Sequence, residues 1–533
     1  MRNGYSMHRL GSKAILTNNN CNHQENRKLI ALPVFGNPLY FNYLIDIYNA
    51  SESCCGKTTF LILPLPDSNE KLFPRSYEVR QRYAQKYFLD KIGNFPNIEI
   101  LFVTLPDFRT PTYRNFQNAQ IAGDIFLIDS NYKYLNQSVA SYLSSDLARS
   151  SYPQINLDKF RRGILNGVKA FIVSAEATSS AIAKYRPSEI IFINGRYPGQ
   201  AGVRESAELH SIPWSSVEHG GEPGKAYFRE QFLPQDRIQS QIQFDAWSKN
   251  LNGAEKNQIE SWANNWLAAQ RSNIRQNPFV RTSQNQDLNT QDLSNTVPIF
   301  TSSIDEGIGI PSWGNDEISS LVEKTVFFAK IILDLGMKPI VVIHPNTLNK
   351  IWIDFKVLTS RLDKNNIEYV LPWTQISSYD LLEAATFVCT WRSTIGLEAA
   401  AVGKPIVVLT DTHYDLSIPV IHCPKNSSEL MMELESYLPD PLRAKFLLYF
   451  FSNRGHAFDR NTWSIELIRI SDEIYRIIPL GGFMKSIRNR THRFIPIFLP
   501  FRHSPNRILK FLKPLVGERL SVRYINFLLQ RYS

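Results

Sequence analysis

Short apolar runs alternate with longer amphipathic stretches along most of the chain, and the alternation restarts once. The runs 28–35 (KLIALPVF), 59–64 (TFLILP), 98–104 (IEILFVT), 189–194 (EIIFIN) and 213–218 (PWSSVE) read as strands. Each is short, bounded by polar or glycine-bearing segments, and mostly rich in branched and aromatic side chains. Helical periodicity predicts helices near 76–92, 157–184 and 202–211. Strand and helix in regular alternation is the pattern of a mainly parallel sheet covered by helices.

Residues 246–275 read as a polar helix carrying Trp247, Trp262 and Trp266. The stretch 282–296 (TSQNQDLNTQDLSNT) offers a core almost nothing, so it reads as an exposed linker. The alternation then resumes with strands at 297–302 (VPIFTS), 338–343 (KPIVVI), 368–371, 386–390 and 405–409. Helices are predicted at 315–335, 346–361, 378–385 and 394–402, with closing helices at 427–437, 440–451 and 461–477. The expected fold class is therefore α/β, with two doubly wound Rossmann-like domains facing a cleft. The corresponding divisions are an N-terminal extension (1–26), a first domain (27–245), a polar helix and linker (246–296), a second domain (297–425), closing helices (426–480) and a tail (481–533).

A length of 533 residues suits two cores better than one. The net charge of +10 is local, because residues 481–533 hold eleven Lys/Arg and a single acid, Glu518. Basic and acidic residues balance over 1–480, so the charge points to an anionic partner for the tail. Within 518–533, Leu520, Tyr524, Phe527 and Leu528 share a helical face with Arg519 and Arg523 beside them. A basic amphipathic segment suits an anionic membrane surface. Nucleic acid is not expected, since no recognisable module accompanies the charge. The five cysteines are scattered, with no paired Cys-x-x-Cys, and the first twenty residues lack a signal peptide's apolar core. The expected location is cytoplasmic, peripheral at the inner face of the membrane. Cys55-Gly56-Lys57-Thr58 imitates a phosphate loop, but Ser51 stands where its first glycine belongs and a strand follows instead of a helix.

Ligands of open α/β sheets sit beyond the carboxyl ends of strands, so chemistry is sought there. Strand 338–343 runs into His344-Pro345, which aims a histidine at the cleft, where it can donate to a phosphate oxygen. In Thr386–Val408 (TFVCTWRSTIGLEAAAVGKPIVV), Ser393-Thr394 open a helix beside Arg392. Hydroxyls and backbone N–H groups at a helix start make a natural phosphate site. Glu398, one turn further, is suited to a ribose hydroxyl. In the first domain, Asn194-Gly195-Arg196 and Glu218-His219-Gly220-Gly221 are two polar turns suited to an acceptor. Arg196 is a candidate for neutralising phosphate, and Glu218 or His219 for the general base. Thr301–Glu306 is a lower-ranked acidic loop.

His-Pro after one strand, followed by a Ser/Thr pair opening a helix that continues Gly-x-Glu-Ala-x-x-x-Gly-Lys-Pro, resembles GT-B glycosyltransferases. The likeness is to bacterial capsule polysaccharide biosynthesis proteins, including Kdo transferases, and to GT-B sialyltransferases. It covers 297–425 well and the first domain thinly. The resemblance implies that His344, Pro345, Ser393 and Thr394 hold the donor nucleotide and its phosphate. It also implies that Glu218-His219-Gly220 stands for an acidic-acidic-glycine motif whose carboxylate deprotonates the acceptor, with histidine in place of the second acid. Many retaining GT-B enzymes carry a further glutamate where Thr390 stands here. The implied reaction is transfer from a nucleotide sugar to a glycan or lipid-linked glycan, with a mild preference for a cytidine donor and with no metal or other cofactor. A sugar-nucleotide epimerase of the same architecture and a non-catalytic scaffold are the alternatives.

Overall fold

The computed structural model describes residues 27–32, 58–62, 86–95, 98–102, 120–122, 125–127, 132–142, 157–219, 225–271, 295–302, 318–344, 352–370, 377–453, 456–457 and 464–477, with single positions 45, 49, 293, 310, 312 and 313. The segments 1–26 and 481–533, and 282–292 of the expected linker, lie outside them.

The first half forms a seven-stranded sheet. Its parallel part joins β1 (Lys28–Leu32), β2 (Thr58–Ile62), β3 (Ile98–Phe102), β6 (Glu189–Ile193) and β7 (Trp214–His219), in the order β3-β2-β1-β6-β7. A separate antiparallel pair, β4 (Gln120–Ala122) and β5 (Ile125–Leu127), and helix α1 (Leu135–Tyr142) stand between β3 and the long α2 (Leu157–Tyr185). Helix α3 (Pro198–Leu209) packs on α2 so closely that a Cβ at Gly202 would lie 2.3 Å from the Phe171 carbonyl oxygen.

The sequence pattern places 213–218 as one more strand ending in a turn. Instead β7 runs through His219 and returns as β8 (Lys225–Glu230), an antiparallel hairpin pairing Glu218 with Tyr227 and His219 with Ala226. The glycines and proline of the intervening GGEPG sequence favour such a reversal. The sheet's last strand comes from far along the chain: β15 (His456–Ala457) pairs antiparallel with β8.

The second sheet has six strands, all parallel: β9 (Thr296–Phe300), β10 (Lys338–Val342), β11 (Glu368–Val370), β12 (Val388–Thr390), β13 (Ile406–Val408) and β14 (Ile421–His422). Their order is β11-β10-β9-β12-β13-β14. Thr296, the last residue of the expected linker, is buried and already opens β9.

The expected polar helix is two. Helix α4 (Arg237–Lys249) starts at Asp236, whose carboxylate accepts the Gln239 N–H at 3.1 Å. Helix α5 (Gly253–Arg271) starts at Asn252, where the side chains and N–H groups of Asn252 and Glu255 bond reciprocally at 2.9 and 3.0 Å. Helices α6 (Ile318–Asp334), α7 (Trp352–Lys364), α8 (Ser378–Ala384) and α9 (Ile395–Ala401) connect the strands of the second sheet, and α10 (Ser427–Ser436) and α11 (Pro441–Asn453) follow it. The tryptophans of α4 and α5 pack on the second domain's core through α11: Trp247 stacks on Tyr449 with centroids 6.0 Å apart, and Trp262 meets Tyr449 edge-on at 5.0 Å.

Residues 45, 86–92 and 464–477 belong to a separate compact unit. Its described parts are mainly a helix at 86–92 and α12 (Ile465–Ile477), in which Phe88, Ile92, Leu467 and Ile470 are buried. No helix among the described residues is long and apolar enough to cross a membrane.

Candidate functional site

In the second sheet the chain order reverses between β9 and β12, and in such sheets a ligand crevice opens at the reversal, beyond the carboxyl ends of the strands. Three of the predicted segments end there. Beyond β9, the buried Thr301 hydroxyl accepts the His344 N–H at 2.9 Å and donates to the Val342 carbonyl at 3.2 Å. Thr301 thereby pins the half-buried His344 at the end of β10. Pro345 and 303–306 lie outside the described residues.

Beyond β12 the backbone of Trp391 bonds to the Phe300 carbonyl at 3.0 Å, which holds the motif loop against β9. Thr390, at the position where a second glutamate was sought, is fully buried and accepts the Ser393 N–H at 3.1 Å. The Ser393 carbonyl takes the Tyr414 hydroxyl at 3.1 Å. Thr394 is exposed at the cap position of α9, and its hydroxyl makes no capping bond. Gly396 is needed by packing, since a Cβ there would stand 2.1 Å from the Tyr414 hydroxyl. Arg392 is 6 % exposed, with its guanidinium 4.8 Å from the centroid of the Trp313 ring.

Glu398 is also 6 % exposed, and one of its oxygens accepts the Tyr379 hydroxyl at 2.6 Å. Burial pushes its carboxyl up to about 7, against the opposing pull of the Tyr379 hydrogen bond and of Arg271. The same burial, with Glu398 alongside, pushes the Tyr379 phenol well up.

The first sheet reverses between β1 and β6. Just past β6, Asn194 adopts φ +61° and Gly195 φ +83°, a left-handed pair that turns the chain sharply. The Asn194 side chain donates to Glu218 Oε2 at 2.6 Å and accepts the Arg196 N–H at 3.2 Å. Gln235 also donates to Glu218 Oε2, at 3.1 Å. Arg196 is buried, bonding to the Tyr197 hydroxyl at 3.1 Å and lying over that ring. His219 completes β7 in register with Ala226, while its side chain lies outside the described ones.

The two clusters are joined through residues that the sequence pattern did not single out. Trp313, from the segment after β9, packs with Ile310 in the first domain's core beside Phe192 and Leu233. Its indole N–H donates to the Gln235 carbonyl at 2.8 Å. A continuous path therefore runs from Glu218 through Gln235 and Trp313 to Arg392. The available signal was a lone tryptophan in the polar run 310–315 (IPSWGN), which fits neither a strand nor a helix. Among the described residues no three His, Cys, Asp or Glu side chains gather into a metal-binding group.

The chain is of the α/β class, with two Rossmann-like sheets in tandem. No family model matches it, and no curated protein does. Solved structures with a similar fold include the UDP-GlcNAc 2-epimerase of Neisseria meningitidis bound to UDP-GlcNAc (12 % identity, 84 % of this chain and 98 % of that one, TM-score 0.29). The KpsC β-Kdo 2,7-transferase of Thermosulfurimonas dismutans matches at 12 % identity over 55 % of this chain and 89 % of that one, TM-score 0.31. A glycosyltransferase of Rickettsia africae matches at 10 % identity over 86 % and 100 %, TM-score 0.24. Likenesses this remote carry nothing about reaction or substrate.

Proposed function

We propose that this chain is a glycosyltransferase of the two-domain GT-B type, acting in surface polysaccharide biosynthesis of the capsule kind. What supports the reading above all is the placing of both candidate clusters at sheet reversals and their connection through Gln235, Trp313 and Arg392. His344, Pro345, Arg392, Ser393 and Thr394 hold the donor's nucleotide and phosphate, and Arg196 adds positive charge from the acceptor side. Charge on the departing nucleotide is balanced by these groups without a metal. Glu218, or His219 beside it, takes the acceptor hydroxyl proton. The acceptor oxygen then bonds to the anomeric carbon, and the nucleotide leaves with the electron pair of the broken carbon–oxygen bond. For Glu398 to bind a ribose hydroxyl, its contact with Tyr379 has to open. The donor is a nucleotide sugar, with cytidine preferred mildly, and the acceptor a glycan or lipid-linked glycan. The basic tail 481–533 rests on the anionic inner face of the membrane.

Thermal shift against cytidine, uridine and guanosine nucleotides, followed by turnover of the matching nucleotide sugars, tests this. Stabilisation by one nucleotide and its release in the presence of a glycan acceptor are expected. Melting unmoved by every nucleotide, or inversion at the sugar's C2 without transfer, would overturn it.

A further inference from the structure

We propose that Asn194 and Gln235 are positioning residues that fix the Glu218 carboxylate for proton abstraction, an inference resting on the transferase reading above. The two amides come from different elements, one just past β6 and the other from the turn before α4, and converge on the same oxygen, Oε2, at 2.6 and 3.1 Å. Two donors from separate directions fix the rotation of a carboxylate whose backbone is set by β7 pairing on both sides. A general base works only within hydrogen-bond reach of its proton and in correct alignment, so this restraint bears on rate.

Three local features mark the arrangement. Asn194 is held in the left-handed region at φ +61°. Gly195 follows at φ +83°, where a Cβ would lie 2.6 Å from Leu233 Cδ2 and 2.7 Å from Phe192 Cε2, so the turn admits only glycine. The Gln235 amide oxygen is buried with no hydrogen-bond partner among the described residues, although the amide nitrogen is engaged by Glu218. An unpaired buried acceptor and left-handed backbone are features that concentrate at functional sites. Gln235 has a second task, because its carbonyl anchors the Trp313 indole over which Arg392 lies. One residue thus ties the orientation of the base to that of a donor-phosphate arginine.

The test is steady-state transfer with the nucleotide sugar identified by the donor panel, on Asn194→Gly, Gln235→Leu, Glu218→Gln and the Gln235→Leu/Glu218→Gln double variant. Asn194→Gly keeps a backbone suited to positive φ and removes the amide, including its bond to the Arg196 N–H. Gln235→Leu removes the unpaired oxygen together with the donor. The expected result is a fall in kcat of roughly 10- to 100-fold for each, with donor KM within about two-fold and an unchanged or raised Tm. The double variant should be no slower than Glu218→Gln alone, since the Gln235 amide acts through that carboxylate. Wild-type kcat in Asn194→Gly or Gln235→Leu, or an additive loss in the double variant, overturns the positioning role while leaving the transferase reading standing. Wild-type kcat in Glu218→Gln does the same. A wild-type protein that turns over no donor removes the transferase reading and this inference with it, before any variant is compared.

Discussion

Gly396 and Glu398, two residues apart in the second-domain motif, are both governed by buried tyrosines. A methyl at Gly396 would meet the Tyr414 hydroxyl, and Tyr414 is fully buried. Gly396→Ala is therefore expected to cost about 1–3 kcal/mol in urea unfolding, with part of the loss recovered in Gly396→Ala/Tyr414→Phe, which deletes the obstructing oxygen. Glu398 has a folded-state pKa of about 7, above its unfolded value, so the native state binds more protons between the two. Its contribution to stability is present below the unfolded value and is lost as pH rises towards about 7. Glu398→Gln keeps an acceptor for Tyr379 and removes the ionisation. Relative to wild type it should gain on the order of 1–3 kcal/mol between pH 5 and pH 8, measured by unfolding at both. An unchanged difference would mean that Glu398 does not titrate in that range. The sequence pattern pointed to this motif, but it could not show that its carboxylate faces Tyr379.

Most elements were legible because their periods are simple. The short apolar runs became β1, β2, β3, β6, β9 and β10 with ends moved by up to three residues. Helices α4 and α5 were read as one polar helix because each buries a narrow stripe: Ser240 and Phe244 in α4, and Ile259, Ala263, Leu267 and Gln270 in α5. The break between them is set by the reciprocal bonds of Asn252 and Glu255. Asn252→Ala should lower stability by about 1 kcal/mol, seen as a lower thermal midpoint. The hairpin β7–β8 escaped detection because its return strand, KAYFRE, holds only three consecutive apolar residues between charged ones and follows a segment of glycines and proline. Strands β14 and β15, two residues each, hold no period to detect.

At the scale of the molecule, Arg237 joins segments far apart in the chain. Its guanidinium reaches both oxygens of Asp415 at 2.7 and 2.8 Å, Asp411 at 3.1 Å and the Ser312 carbonyl at 2.6 Å. The Asp415 side chain is 2 % exposed, so removing the arginine strands a buried carboxylate. Arg237→Met should cost about 3–5 kcal/mol in denaturant unfolding, and Arg237→Met/Asp415→Leu should recover much of it. A loss below about 1 kcal/mol in the single variant would show that the pair is dispensable.

By itself the sequence determined two rounds of strand and helix, the polar segments ending the strands, and the helix opened by Ser393-Thr394. All of these follow from periods and neighbours a few residues apart. Tertiary structure alone decided that Asn194, Glu218 and Gln235 share one oxygen, that Trp313 ties Gln235 to Arg392, and that Glu398 is buried against Tyr379. The partners in these contacts stand 17 to 79 positions apart. No local period couples residues at such distances; sheet order and packing bring them together.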